Sequence, residues 1–126
     1  MREQLLLCVD DEINGLRLRK IILEAKGYRV LIAPSGAEGI SLFEQNPVDL
    51  VLLDFLMPEM KGDEVAERMR QIKPHVPIIR LSAYYDLPAR VDLLVDARIV
   101  KGESTQNLID TVARMLETRS SAAGSE

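Results

Sequence analysis

Five short apolar runs, separated by segments of a different period, constrain this 126-residue chain more than any other feature. They are LLLCV at 5–9, YRVLIA at 28–33, DLVLLD at 49–54, PIIRLSA at 77–83 and ARIVK at 97–101. Most are continuous rather than alternating, the pattern of strands covered on both faces. Between them, Leu18, Ile21, Ile22 and Ala25 recur at helical spacing, and Lys26-Gly27 supplies a stop. Val65, Met69 and Ile72 form a second stripe, ended by Pro74. Ile109, Val112, Ala113 and Leu116 form another, with Ser104 as its expected N-cap. Residues 35–45 read as a weaker helix, because Gly36 and Gly39 each cost about 1 kcal/mol relative to alanine. The connection after residue 83 is short, with Asp86 as a cap and Pro88 in a first turn.

Strand and helix alternating five times over imply an α/β fold, a parallel sheet with helices on both faces. Right-handed crossovers leave few topologies, and a doubly wound, flavodoxin-like five-stranded sheet of order 2-1-3-4-5 is the expected one. The chain reverses direction at the first strand in that order, so a crevice opens at the carboxyl ends of strands one and three. Residues at carboxyl ends are therefore the site candidates.

Length supports one domain, placed at 1–118, and the aperiodic RSSAAGSE at 119–126 reads as a flexible tail. A net charge of -4 argues against a nucleic-acid binder, which needs a basic face. The single cysteine, Cys8, excludes an internal disulfide framework and lies inside an apolar run, as an inert buried thiol would. The run at 5–9 is too short for a signal peptide, and no window approaches the ~20 apolar residues of a membrane span. A cytoplasmic location is expected.

Strand one ends in Asp10-Asp11-Glu12, strand three in Asp54, strand four in Ser82-Ala83 and strand five in Lys101. Each alone has an ordinary reading: a helix cap, a polar residue leaving the core, a turn serine, a solvated strand end. Together they place three aspartates, a hydroxyl and an amine around one crevice. Clustered aspartates repel and call for a cation. Carboxylate oxygens without His or Cys select Mg²⁺ or a similar hard ion. Metal, ammonium and hydroxyl around a carboxylate nucleophile suit transfer of a phosphoryl group, whose charge spreads over its equatorial oxygens.

In LLCVDDE, DLVLLDFLMPEMKGDEV, PIIRLSA and RIVKG, in that order, the chain resembles the receiver domain of two-component response regulators, from Gln4 to about Glu117. The resemblance implies that Asp54 accepts a phosphoryl group from a phosphohistidine on a sensor histidine kinase or phosphotransfer protein. It implies that Asp11, Asp54 and the backbone carbonyl of Leu56 ligate Mg²⁺, with Asp10 acting mainly through a bound water. Ser82 would hydrogen-bond a phosphoryl oxygen, and Lys101 would pair with the phosphoryl group or Asp54. His75 is expected on the surface, not as a phosphodonor. The downstream partner is unspecified, and a homodimer is compatible with the family.

Three departures from the family pattern bear on signalling. Proline usually follows the lysine, often through a cis bond; here Gly102 does, so a trans bond and a glycine-shaped loop are expected. The switch aromatic three residues before the lysine is replaced by Arg98. Ser82 and Lys101 are also closer in sequence than in the family, so the fourth helix should be shortened or displaced. Leu56 and Tyr84, two positions after Asp54 and Ser82, are bulky enough to restrict attack by water on an acyl phosphate.

Three classes of function follow. One is a phosphoacceptor that signals through protein contacts and is not a turnover enzyme. The second is a degenerate receiver that acts only as a binding platform; the complete set Asp10, Asp11, Asp54, Ser82 and Lys101 speaks against it. The third is a Mg²⁺-dependent phosphohydrolase using Asp54. Aspartate-based phosphatases want a second acid two residues after the nucleophile, and Leu56 occupies that position.

Overall fold

Both faces of the central sheet are covered, which is why its strands read as unbroken apolar runs. The computed structural model describes residues 3–57, 59–82, 93–102 and 104–124, with side chains as far as Thr118. The strands are β1 (Leu5–Val9), β2 (Arg29–Ala33), β3 (Leu50–Asp54), β4 (Ile78–Ser82) and β5 (Ala97–Val100). The helices among the described residues are α1 (Ile13–Glu24), α2 (Gly36–Gln45), α3 (Gly62–Ile72) and α4 (Thr105–Gly124). All strand pairs are parallel, in the order β2-β1-β3-β4-β5. That is the flavodoxin-like α/β arrangement expected from the alternation. The shortened or displaced helix expected between β4 and β5, with Tyr84, Asp86 and Pro88, falls at 83–92, outside the described residues. No described helix is long and apolar enough to cross a membrane.

Successive strand residues feed opposite cores. Leu5, Leu7, Val9, Val51 and Leu53 pack with Phe43, Val65 and Met69 on one face. Leu6, Cys8, Leu50 and Leu52 pack with Leu16, Leu23, Val112 and Leu116 on the other. Full burial stabilises such a leucine by about 1.5–3 kcal/mol, so a continuous run serves both layers at once.

Gly36 and Gly39 weaken α2 locally but let it approach closely. A Cβ on Gly39 would stand 2.8 Å from Val9, and one on Gly36 would stand 2.7 Å from Val65. Ser35 caps this helix by accepting the Glu38 N–H at 3.2 Å. Ser104 does the same for α4, accepting the Asn107 N–H at 3.1 Å.

The rotation of α1 about its axis differs from the sequence reading. Leu18, Ile21 and Ala25 are exposed, and the fully buried residues are Leu16 and Leu23. Arg19 and Lys20 hold half-buried positions between those two leucines. Their apolar stems pack inward while their charged ends find oxygens, and a pattern of apolar letters is blind to that. In α4, among the residues described as far as Thr118, Leu108, Thr111, Val112 and Leu116 are buried and Ala113 is exposed. That helix also runs to Gly124, taking in six residues of the tail drawn from 119. Each added residue costs little once a helix is nucleated, and alanine is the best helix former.

Candidate functional site

Each reactive side chain stands at or just beyond the last residue of a strand, at the carboxyl edge of the sheet. Asp10 follows β1 and is tied back to the sheet by its N–H, which donates to Ala33 O at 3.1 Å. Asp54 ends β3, and Ser82 ends β4. Lys101 follows β5, held by its N–H donating to Ser82 O at 2.8 Å. Parallel register thus brings four distant stretches of sequence to one rim.

Asp10, Asp54 and Ser82 are almost wholly buried, whereas Asp11 is exposed. Carboxylate oxygens of Asp10, Asp11 and Asp54 all lie within 4.8 Å of one another. Lys101 Nζ bridges two of them, 3.2 Å from Asp10 Oδ2 and 3.3 Å from Asp54 Oδ2. The Glu12 N–H donates to Asp10 Oδ1 at 2.9 Å, and the Leu56 N–H donates to Asp54 Oδ1 at 3.1 Å. Asp10 therefore fixes the turn that leads into α1 and joins the acid cluster, but it does not cap the helix, whose N-cap position falls on Glu12 with no side-chain cap bond.

The loop after Asp54 is closed by Gly62, whose N–H donates to Phe55 O at 3.3 Å. A Cβ there would sit 2.4 Å from Phe55 Cα, so only glycine lets α3 begin against the acceptor loop. Leu56 is 49% exposed beside it. Gly102 takes φ +93 with a trans bond before it, matching the glycine-shaped loop expected after Lys101. His75 and Arg98 are exposed.

The electrostatics separate the two buried acids. Burial pushes Asp54 up to about 6, and the neighbouring Asp10 charge adds to this, against the Leu56 N–H and Lys101. Burial also works against the charge on Asp10. There the Glu12 N–H, Asp54, Lys101 and Arg19 outweigh it and hold the carboxyl below its ordinary value. The first negative charge of the pair settles on Asp10, and Asp54 retains a proton longer. Burial alone would lower Lys101, but Asp54 and then Asp10 raise it. It is a fixed cation at neutral pH.

Hard oxygen donors converge here with no His or Cys among them, and two acids are buried beside a single bridging lysine. That donor set fits Mg²⁺. The apolar-pattern reading missed Arg19, whose Nη2 also contacts Asp10 Oδ2. In the sequence Arg19 is one charged residue among several in α1, and only the rotation that buries Leu16 and Leu23 turns it toward Asp10.

Comparison with known proteins assigns this arrangement. The family model of the response regulator receiver domain matches residues 6–113. The probable transcriptional regulator ycf27 of Porphyridium aerugineum is 35% identical over 96% of this chain, which covers 52% of that protein. The transcriptional regulatory protein GlrR of Escherichia coli is 38% identical over 68% of this chain and 19% of its own length. The chain thus spans about half or less of these curated relatives. Among solved structures, a CheY-like receiver domain protein from Methanospirillum hungatei superimposes with a TM-score of 0.90 at 28% identity, covering 96% of this chain and 99% of that one. The response regulator TrrA of Thermotoga maritima, solved with Mg(2+)-BeF, gives 0.82 at 34% identity, covering 89% and 98%. The family match and the likeness of fold agree over most of the length, and the chain belongs to the response regulator receiver domain family.

Proposed function

We propose that Asp54 accepts a phosphoryl group from a phosphohistidine on a sensor histidine kinase or phosphotransfer protein, in a Mg²⁺-dependent reaction. The observation that carries this reading is the buried Asp54 carboxylate, bridged at 3.3 Å by Lys101 and clustered with Asp10 and Asp11. An Asp54 oxygen attacks phosphorus, the bond to the imidazole nitrogen breaks, and the imidazole takes up a proton. Bound Mg²⁺, held by Asp11, Asp54 and the Leu56 carbonyl with Asp10 behind a water, would neutralise charge on the transferring group. Lys101 holds the Asp54 carboxylate before transfer and pairs with the phosphoryl group after it. The Ser82 hydroxyl hydrogen-bonds a phosphoryl oxygen. Phosphorylated, the cytoplasmic domain signals by protein contact rather than by turning over a substrate.

Intact mass after incubation with Mg²⁺ and a small-molecule phosphodonor tests this directly. One acid-stable, base-labile phosphoryl group is expected, absent in Asp54→Asn. No adduct with any donor would favour a phosphorylation-independent platform, and sustained phosphate release would favour a hydrolase. Leu56 is exposed two residues after Asp54, and in this reading its bulk restricts attack by water on the acyl phosphate. Leu56→Asn is expected to shorten its lifetime several-fold, followed by the decay of the mass adduct; an unchanged decay rate would remove Leu56 from that role.

A further inference from the structure

Arg19 occupies an oxygen of Asp10 that a bound ion, or its coordinated water, could otherwise use. Asp10 is 1% exposed and its Oδ1 accepts the Glu12 N–H at 2.9 Å. Its Oδ2 already receives both Arg19 Nη2 and Lys101 Nζ, the latter at 3.2 Å. A carboxylate oxygen has about two lone-pair positions, so a further donor or a metal at Oδ2 must displace one of these two cations.

The geometry indicates which one leaves. Lys101 is also bonded to Asp54, and withdrawing it would uncover two buried carboxylates. Arg19 has no second carboxylate among the described residues, and its buried Nε has no hydrogen-bond partner there. Its side chain is 14% exposed and borders an open groove of about 340 Å³, which Gly15, Leu18, Ile22 and Leu108 also line. The guanidinium reaches Asp10 by lying over the bare Cα of Gly15. A Cβ there would stand 3.3 Å from Nη2 and 3.4 Å from Nη1.

We propose that Arg19 is a resident counter-cation of the acceptor site, which holds Asp10 when no metal is bound and which Mg²⁺ must displace. This rests on the Mg²⁺ site described under the proposed function. Arg19 is a positioning residue for Asp10, and its effect is to weaken Mg²⁺ binding. A guanidinium bonded to a buried carboxylate makes a strong charge-assisted hydrogen bond, and breaking it is subtracted from the ion's affinity.

Mg²⁺ titration of the purified protein by calorimetry, with variants at two arginines of the same helix, tests the idea. Arg19→Leu and Arg19→Gln are expected to lower the dissociation constant three- to tenfold. Arg19→Lys, which keeps the charge and loses the fork, should fall between them and the wild type. Arg17→Gln removes an exposed charge that does not touch Asp10 and should leave the constant unchanged. In the wild type, the Arg19 Nε–H nuclear magnetic resonance signal should shift on Mg²⁺ addition. Equal or weaker binding by the Arg19 variants, or equal tightening by Arg17→Gln, would overturn the proposal. Binding by the Arg19 variants with none by the wild type would support it in its strongest form. If no protein in the series binds Mg²⁺ at tens of millimolar, the metal reading of the site fails and this inference fails with it.

Discussion

At Asp54, chemistry and folding pull in opposite directions. The carboxylate must be charged to act as nucleophile and ligand, yet burial raises its pKa from 3.8 to about 6. The folded chain therefore binds this proton more tightly than the unfolded chain, and stability falls as pH rises through that interval. The full cost is present at neutral pH. Asp54→Asn is expected to stabilise the metal-free protein at pH 7 by on the order of 1–3 kcal/mol, with the gain vanishing below about pH 4. Urea denaturation in EDTA at both pH values checks this, and a gain that persisted in acid would point to packing rather than charge. Asp54 was legible in the sequence because an acid ending an apolar run is conspicuous. The separation of the Asp10 and Asp54 pKa values was not, since it depends on which N–H and which cation each carboxylate meets.

At the scale of elements, period alone does not say which face of a helix turns inward. For α1 the apolar letters pointed to Leu18, Ile21 and Ala25, but the helix buries Leu16 and Leu23 and lets Arg19 and Lys20 pack by their stems. Leu23→Ala is expected to cost about 2–5 kcal/mol, while Leu18→Ala, at a site 58% exposed, should change stability by less than about 0.5 kcal/mol. Thermal denaturation of the two variants separates them; equal losses would show that Leu18 faces the core. The strands were read to within about a residue, because a sheet covered on both faces demands unbroken apolar runs. Side-chain bonds between distant elements were invisible in the same letters. Arg70 of α3 donates to Leu94 O at 3.0 Å and Val76 O at 2.9 Å and pairs with Asp96, whose carboxylate also accepts the Ile78 N–H. That brace lies at the opposite end of β4 and β5 from the acids.

Across the whole molecule, the acid rim concentrates repulsion at one edge of an otherwise apolar sheet, and a cation bound there stabilises the fold as well as the chemistry. Any ligand that binds only the folded state raises its stability, by about 2.7 kcal/mol at one hundred times its dissociation constant. Saturating Mg²⁺ is expected to raise the denaturation midpoint of the wild type relative to EDTA and to leave Asp54→Asn less affected. No Mg²⁺-dependent shift in the wild type would count against metal binding at this rim. The convergence of Asp10, Asp11, Asp54 and Lys101 was legible because topology sends every strand's carboxyl end to the same edge. Arg19 was not, because it reaches the rim from the middle of a helix rather than from a strand end.

The backbone of Gly102, at φ +93, also limits the paths along which this sequence can change. Proline holds φ near −65°, so the residue that usually follows the lysine in the family cannot be substituted into the present loop. Gly102→Pro should displace Lys101 from the acids and not restore a family-like loop, which the Mg²⁺ dependence of stability in that variant would reveal. A chain with this loop shape can accept proline after the lysine only if the connection around it is rebuilt.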